Sequence, residues 1–160
     1  MKSASDLVIN MLKLQEKLFV NVLHEMEDFA TLQAGPEATH SAWIAGHALN
    51  SRFYMLKLAG GNEKYRFGAS HYGRGMKFSQ ENSYPSVQES LEDLKLISPL
   101  LYDQLSKLTD ADWDAPAAYA FPLGDSFMDT IAFMAHHEAY HIGQISLMRR
   151  AAGLPSMSYK

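Results

Sequence analysis

Residues 125–152 read DSFMDTIAFMAHHEAYHIGQISLMRRAA, and this stretch decides the fold that the sequence predicts. Its large apolar side chains recur at helical spacing and share one arc of the helix; they are Phe127, Met134, Ile145 and Met148. Gly153 and Pro155 follow the stretch, as is typical of a helix end. The pattern therefore predicts one long amphipathic helix with a buried face.

Three other segments carry the same helical period, and no segment shows the clear alternation of a strand. They span about residues 5–30, 41–59 and 86–108. In the last of them, Ser86 and Glu89 have the spacing of a capping box, which indicates a helix start. Pro99 lies inside the same segment and predicts either a kink or a break into two shorter helices.

The first of these segments has a wide apolar face. One stripe runs along it at helical spacing and consists of Leu7, Met11, Leu14, Leu18 and Val22. The stripe is widened on one side by Val8, Leu12, Phe19, Leu23 and Met26. We expect the whole face to pack against the other three helices.

Four amphipathic helices predict an all-α fold, and a four-helix bundle is the simplest way to bury four apolar stripes. The chain has 160 residues, which suits a single domain over residues 1–160. Residues 62–84 form a long connection without a period, and such connections are often lids or pocket walls. Residues 109–125, TDADWDAPAAYAFPLGD, are rich in turn-forming residues and lead into the last helix.

The composition excludes several classes of protein. The formal net charge is −4 and the basic residues are scattered, so we expect neither a nucleic-acid partner nor a membrane partner. Cysteine is absent, which excludes disulfides, cysteine zinc sites and a thiol nucleophile of the protein itself. The sequence shows no signal-peptide layout and no run of roughly 20 apolar residues, so the expected location is the cytoplasm.

Three histidines are candidates for one metal site. His137 and His141 are four residues apart on the last helix, so they differ by only ~40° around its axis and share the buried arc. A catalytic divalent ion usually has three protein ligands, so a third should come from another helix. His47 shares a helical face with Trp43 and Tyr54 and can meet the pair in the core. Three neutral imidazoles would leave metal positions open for water or substrate.

Each of these histidines also has a simpler interpretation. A single histidine on an apolar helical face, such as His47, is more often a hydrogen-bonded core residue than a ligand. The pair on the last helix is harder to explain in that way, because burying two unpaired imidazoles is costly. For the other four histidines the simpler interpretation is preferred. His24 is expected on a solvated face, His136 at the surface or between helices, His40 just before helix 2, and His71 in the long connection.

The string HEAYH at residues 137–141 also matches the H-E-x-x-H motif of zinc peptidases. Those enzymes usually take a third ligand from a downstream Glu, His or Asp, and none of these residues follows His141. A peptidase is therefore disfavoured. Glu138 lies at the edge of the buried stripe, where it is either solvent-exposed or a supporting residue of the site.

The chain resembles the DinB-like superfamily. The resemblance rests on WIAGH ending at His47 and on HEAYHIGQ at residues 137–144, followed by LMRRAAGLP. It extends over nearly the whole chain in the order and length of the helices. It implies an up-down-down-up four-helix bundle in which the long connection between helices 2 and 3 makes the crossover.

The same resemblance implies a function class. It makes His47, His137 and His141 the ligands of one divalent metal ion, zinc or nickel first and iron or manganese next. It also implies a homodimer. Characterised relatives include transferases of low-molecular-weight thiols, a thiol-dependent isomerase and iron-dependent enzymes of sulfur-containing histidine-betaine synthesis, whereas others are known only as DNA-damage-inducible proteins.

Our leading hypothesis from the sequence is a metal-dependent transferase that acts on a small thiol, with the metal favouring the thiolate. The alternatives are a non-catalytic metal-binding bundle of the stress response and a metal-dependent hydrolase. Four side chains are candidates for supporting the site or lining its pocket: Tyr54, Glu138, Tyr140 and Gln144. Each of them can also be a packing or inter-helix residue.

Overall fold

The computed structural model describes residues 3–35, 38–73, 75–79 and 81–159. The helices are α1 (Ala4–Leu23), α2 (Ser41–Leu58), α3 (Gly68–Tyr72), α4 (Val87–Lys107), α5 (Asp110–Trp113) and α6 (Phe127–Ala151), with a short 3₁₀ turn at Glu27–Phe29. Two strands, β1 (Pro116–Phe121) and β2 (Gly124–Ser126), form a small antiparallel hairpin. Within these residues no helix is both long and apolar enough to cross a bilayer.

The fold is mostly helical, as predicted, and its four long helices surround one hydrophobic core. Helix α1 packs against α4 and α6, and α2 packs against the same two helices. The core takes its largest side chains from all four, for example Phe19, Leu49, Ile97 and Ile131. This packing places α2 beside α6, the two helices that carry the candidate metal ligands.

Serine caps define the starts of three of the long helices. Ser86 and Glu89 form the predicted capping box, in which each side chain bonds the other residue's backbone N–H. Ser3 caps α1 and Ser126 caps α6 in the same reciprocal way, each with an aspartate three residues on. A cap of this kind contributes about 1 kcal/mol and explains why α6 begins at Phe127.

Helix α1 is shorter than the expected 5–30, because it ends at Leu23. Glu25 adopts a φ of +60°, in the left-handed region, and this turns the chain out of the helix. The side chain of Arg149 on α6 donates to the freed carbonyl oxygen of His24 and, over 2.7 Å, to that of Pro155. A contact distant in sequence therefore stabilises the helix end.

The prediction for the buried face of α1 was partly wrong. Leu7, Met11 and Leu14 are exposed by 60%, 40% and 43%, whereas the flank that was expected only to widen the stripe forms the core. Gln15 also points inward and its Nε2 donates to the carbonyl oxygen of Ala135 on α6 over 2.7 Å. When the apolar face of a helix is this wide, its sequence does not determine which part faces the core. The packing of the neighbouring helices determines which part is buried.

Pro99 does not break its helix, since α4 is continuous from Val87 to Lys107. The proline side chain is exposed, and so is Lys95, whose carbonyl oxygen loses its helical partner. That oxygen can be hydrated, which lowers the cost of the proline. Of the two predicted alternatives, the break into two shorter helices is therefore excluded.

The segment 109–125 contains more regular structure than its turn-rich composition predicted. It forms α5 and most of the hairpin, neither of which was predicted from the sequence. The strands are short and mostly exposed, so they lack the apolar alternation that marks a half-buried strand. Gly124 is needed at the hairpin because a Cβ there would lie 2.3 Å from the capping carboxylate of Asp129.

Candidate metal centre

The structure brings together the three histidines that the sequence singled out. His47 projects from α2, and His137 and His141 project from successive turns of α6. Nε2 of His137 lies 3.2 Å from Nε2 of His47 and 3.0 Å from Nε2 of His141. We call these three imidazoles the histidine centre. Each offers one ligand atom, and all three atoms lie within 4.8 Å of one another.

These distances fit a shared metal ion. Two imidazole nitrogens bound to one tetrahedral zinc ion at roughly 2.0–2.1 Å lie about 3.3 Å apart. Two of the three separations in the histidine centre, 3.0 and 3.2 Å, are close to that value, and all three lie within 4.8 Å. Nδ1 of His137 is buried and has no hydrogen-bond partner among the described residues, so no neighbour fixes its tautomer. When the imidazoles carry their protons on Nδ1, three lone pairs converge.

The environment keeps these imidazoles neutral. Burial, together with the nearby His141 and His137, lowers the pKa of His47 to about 4. Burial and the neighbouring histidines likewise lower the pKa of His137 to about 4. The pKa of His141 is also lowered by burial, although the hydrogen bond with Gln144 opposes the shift. Neutral imidazole is the form that binds a metal.

Two contacts orient the rings of the histidine centre. Nδ1 of His141 lies 2.7 Å from Oε1 of Gln144, so Nδ1–H donates to the amide and Nε2 is directed at the other histidines. Nε2 of Gln144 donates in turn to the hydroxyl of Tyr140 over 3.2 Å. Trp43 stacks on the ring of His47 at a centroid distance of 4.8 Å. Tyr140 is 60% exposed, and its ring also packs edge-on against the ring of His141 at a centroid distance of 5.3 Å.

Glu138 is neither solvent-exposed nor in contact with the histidine centre. It is fully buried, and Oε1 accepts from Nε of Arg52 over 2.8 Å. Arg52 was not among the predicted site residues, although the sequence carries a signal for it. Arg52 falls at helical spacing between the apolar Leu49 and Leu56, and an arginine buried on that face needs an acidic partner. Glu138 is the acid on the facing part of α6.

A cleft of about 1070 Å³ opens beside the histidine centre. His47 and His137 lie in its wall, together with Tyr54. The remaining wall comes from α2, α6, the hairpin and part of the long connection between α2 and α4, whose Arg74 and Gln80 lie outside the described residues. Six further aromatic side chains line it: Phe53, Tyr65, Tyr72, Tyr119, Phe121 and Phe133.

The long connection between α2 and α4 forms part of the wall of this cleft. Its short helix α3 ends in Tyr72, which is 5% exposed and packs over α2. A Cβ at Gly46 would lie 1.9 Å from the hydroxyl of Tyr72, so glycine next to His47 is what lets the tyrosine approach. The contribution of the hairpin to the opposite wall could not be foreseen, because the hairpin itself was not predicted.

The other histidines stand apart from the centre. Nδ1 of His40 accepts from the backbone N–H of Trp43 over 3.1 Å, so His40 caps the start of α2. His71 packs edge-on against Phe67 in the long connection. His24 and His136 are exposed. The simpler interpretation that the sequence favoured for these four residues agrees with their positions.

Most of the chain matches a known protein family. Residues 11–145 match the family model described as the DinB superfamily, which is most of the chain and includes all three histidines of the centre. No curated protein matches the chain. On the family match, this chain belongs to the DinB superfamily.

Proposed function

We propose that this protein is a metal-dependent transferase that acts on a small thiol. The observation that carries the proposal is the histidine centre itself, in which three neutral imidazoles, one buried and two half-buried, converge at the wall of a large cleft. A chain without cysteine has no sulfur nucleophile of its own, so the sulfur would belong to the substrate. Membership of the DinB superfamily supports the metal site.

His47, His137 and His141 would hold one divalent ion, with zinc or nickel as first candidates and iron or manganese next. An ion held by three neutral ligands would keep its positive charge and would favour a thiolate over a thiol. In the proposed transfer the thiol would lose its proton to solvent, its sulfur would form a bond to an electrophilic carbon, and a leaving group would depart with the electron pair of the broken bond.

The residues of the chain would supply orientation and a partly dry site. Gln144 holds the ring of His141 so that its Nε2 faces the other two histidines. Tyr54 presents its side chain to the same cleft as His47 and can orient a bound substrate. The aromatic walls shield the reacting sulfur from bulk water, which strengthens its attraction to the ion.

We also infer the up-down-down-up arrangement and a homodimer. The packing of α1 and α2 each against both α4 and α6 supports the arrangement, with residues 62–84 within the crossover.

The exposed Leu7, Met11 and Leu14 of α1 support the dimer, because they form an apolar strip that a second copy can cover. Light scattering of a Leu7→Glu/Met11→Glu variant tests this, since the variant should remain monomeric.

Ligand-dependent stabilisation tests the proposed reaction class. Purified protein is stripped of metal, reloaded with zinc or nickel, and heated with cysteine or glutathione present. A thiol that binds through the ion should raise the melting temperature of the loaded protein and leave that of the stripped protein unchanged. Serine in place of cysteine is the matched control, because its hydroxyl binds these ions poorly.

Three other outcomes would count against the proposal. Protein that loads metal but is not stabilised by any thiol would favour a non-catalytic metal-binding bundle. Turnover of ester or amide substrates by the loaded protein, with no thiol effect, would favour a hydrolase. Protein that takes up no divalent ion under any condition would remove the site altogether.

A further inference from the structure

A second buried polar cluster lies next to the histidine centre and is centred on Arg52. Its Nε donates to Oε1 of Glu138 over 2.8 Å, and both side chains are 0% exposed. Its Nη1 donates to the hydroxyls of Ser98 and Tyr102 over 2.7 and 3.1 Å, and its Nη2 donates to the carbonyl oxygen of Leu12 over 2.8 Å. We call this the arginine cluster. One side chain thereby touches all four long helices.

Both charged members of the arginine cluster are closely linked to metal ligands. Arg52 follows His47 by five residues on α2, which is about 7.5 Å along the helix axis. Glu138 is the residue after His137 on α6. Because each helix is continuous between these positions, a slide of α2 along α6 by one residue, about 1.5 Å, would separate both pairs together.

The ion pair is poorly suited to a purely stabilising role. Oε2 of Glu138 is buried and has no hydrogen-bond partner among the described residues. A buried pair with an unmatched oxygen gains little over apolar side chains of similar volume. The pair does fix the relative orientation of the groups that it joins, because the planar guanidinium holds its acceptors at set angles. A metal site needs its ligands held to within about 0.5 Å.

We propose that Arg52 and Glu138 are positioning residues that set the register of α2 against α6, and with it the spacing of His47 from His137 and His141. The inference rests on the metal site proposed above. It predicts that the pair matters more to metal geometry than to folding. A purely structural pair would show the reverse.

The test replaces the pair by apolar residues, as Arg52→Met/Glu138→Leu, and loads the stripped protein with zinc or cobalt. No charge is left unpaired, so the variant should fold with a melting temperature close to that of the wild type. Its zinc affinity should fall about 10- to 100-fold, as for other residues that support metal ligands. The visible absorption bands of bound cobalt should shift, because they report the geometry of the ligands.

Gln15→Leu is the matched control. It removes a buried hydrogen bond between α1 and α6, 2.7 Å from Gln15 Nε2 to the carbonyl oxygen of Ala135, without touching the α2–α6 contact. It should lower the melting temperature and leave the zinc affinity and cobalt spectrum as in the wild type. Wild-type affinity and spectrum in the double variant would overturn the inference alone. A wild type that binds neither metal would overturn it together with the proposed site.

Glu138→Asp decides the question if the double variant does not fold. It keeps the buried carboxylate and its charge opposite Arg52 but shortens the side chain by one methylene, which changes the separation that the pair imposes on α2 and α6. Its zinc affinity should fall about tenfold and its cobalt bands should shift. Zinc affinity and cobalt bands as in the wild type would contradict a positioning role.

Discussion

The histidine centre and the arginine cluster join the same two helices, yet they are composed of opposite hydrogen-bonding groups. In the arginine cluster, the donors of Arg52 meet oxygen acceptors, among them Glu138 and Ser98. In the histidine centre, neutral imidazoles direct ring nitrogens at one another at 3.0 and 3.2 Å. The arginine cluster is therefore nearly complete without a ligand, whereas the histidine centre presents three ring nitrogens that could bind a cation.

The largest change in the free energy of unfolding should come from removing one charged member of the arginine cluster. Arg52→Met leaves the carboxylate of Glu138 buried without its cationic partner. We expect the free energy of unfolding to fall by about 3–5 kcal/mol, measured by chemical denaturation of metal-free protein. His137→Ala is the comparison, because it removes a neutral ring. A smaller loss for Arg52→Met than for His137→Ala would contradict the contrast between the two clusters.

A smaller effect should come from completing the histidine centre. Zinc at a free concentration of 100 times its dissociation constant should raise the free energy of unfolding by about 2.7 kcal/mol. The same addition of zinc should leave the free energy of unfolding of His47→Ala unchanged, since that variant lacks one of the three converging ligands. Equal stabilisation of both proteins would mean that zinc binds elsewhere.

The smallest effect concerns the support of a single ring. Gln144→Leu removes the acceptor for Nδ1–H of His141 and should weaken zinc binding about tenfold. A chelator competition assay measures this directly. Tyr140→Phe is the control. It removes the hydroxyl that accepts from Gln144 but leaves the amide oxygen that accepts from His141, so the zinc affinity should not change. Unchanged affinity in Gln144→Leu would show that the ring needs no support from that amide.

The sequence was sufficient for the helices and for the convergence of the histidines. Helical period and capping residues are local signals, and they located α2, α4 and α6 to within about two residues. The four-residue spacing of His137 and His141 places both on one face by geometry alone. His47 was identified by the need for a third ligand and by its apolar neighbours.

The features that were missed depend on contacts between distant residues. Whether Glu138 is exposed or buried depends on Arg52, which is 86 residues away in the chain. The end of α1 depends on Arg149 of α6, and the buried side of its wide apolar face depends on which helices pack against it. The exposed hairpin carries no apolar alternation, so local patterns did not reveal that wall of the cleft.

We propose that one divalent ion binds to three histidines, His47, His137 and His141. The most direct measurement is the metal content of purified, zinc-loaded protein, compared among the wild type, His137→Ala and His136→Ala. His136 is exposed and adjacent in sequence, so its variant controls for the general loss of a histidine. We predict one ion per chain in the wild type and in His136→Ala, and none in His137→Ala. Full metal content in His137→Ala would contradict the assignment.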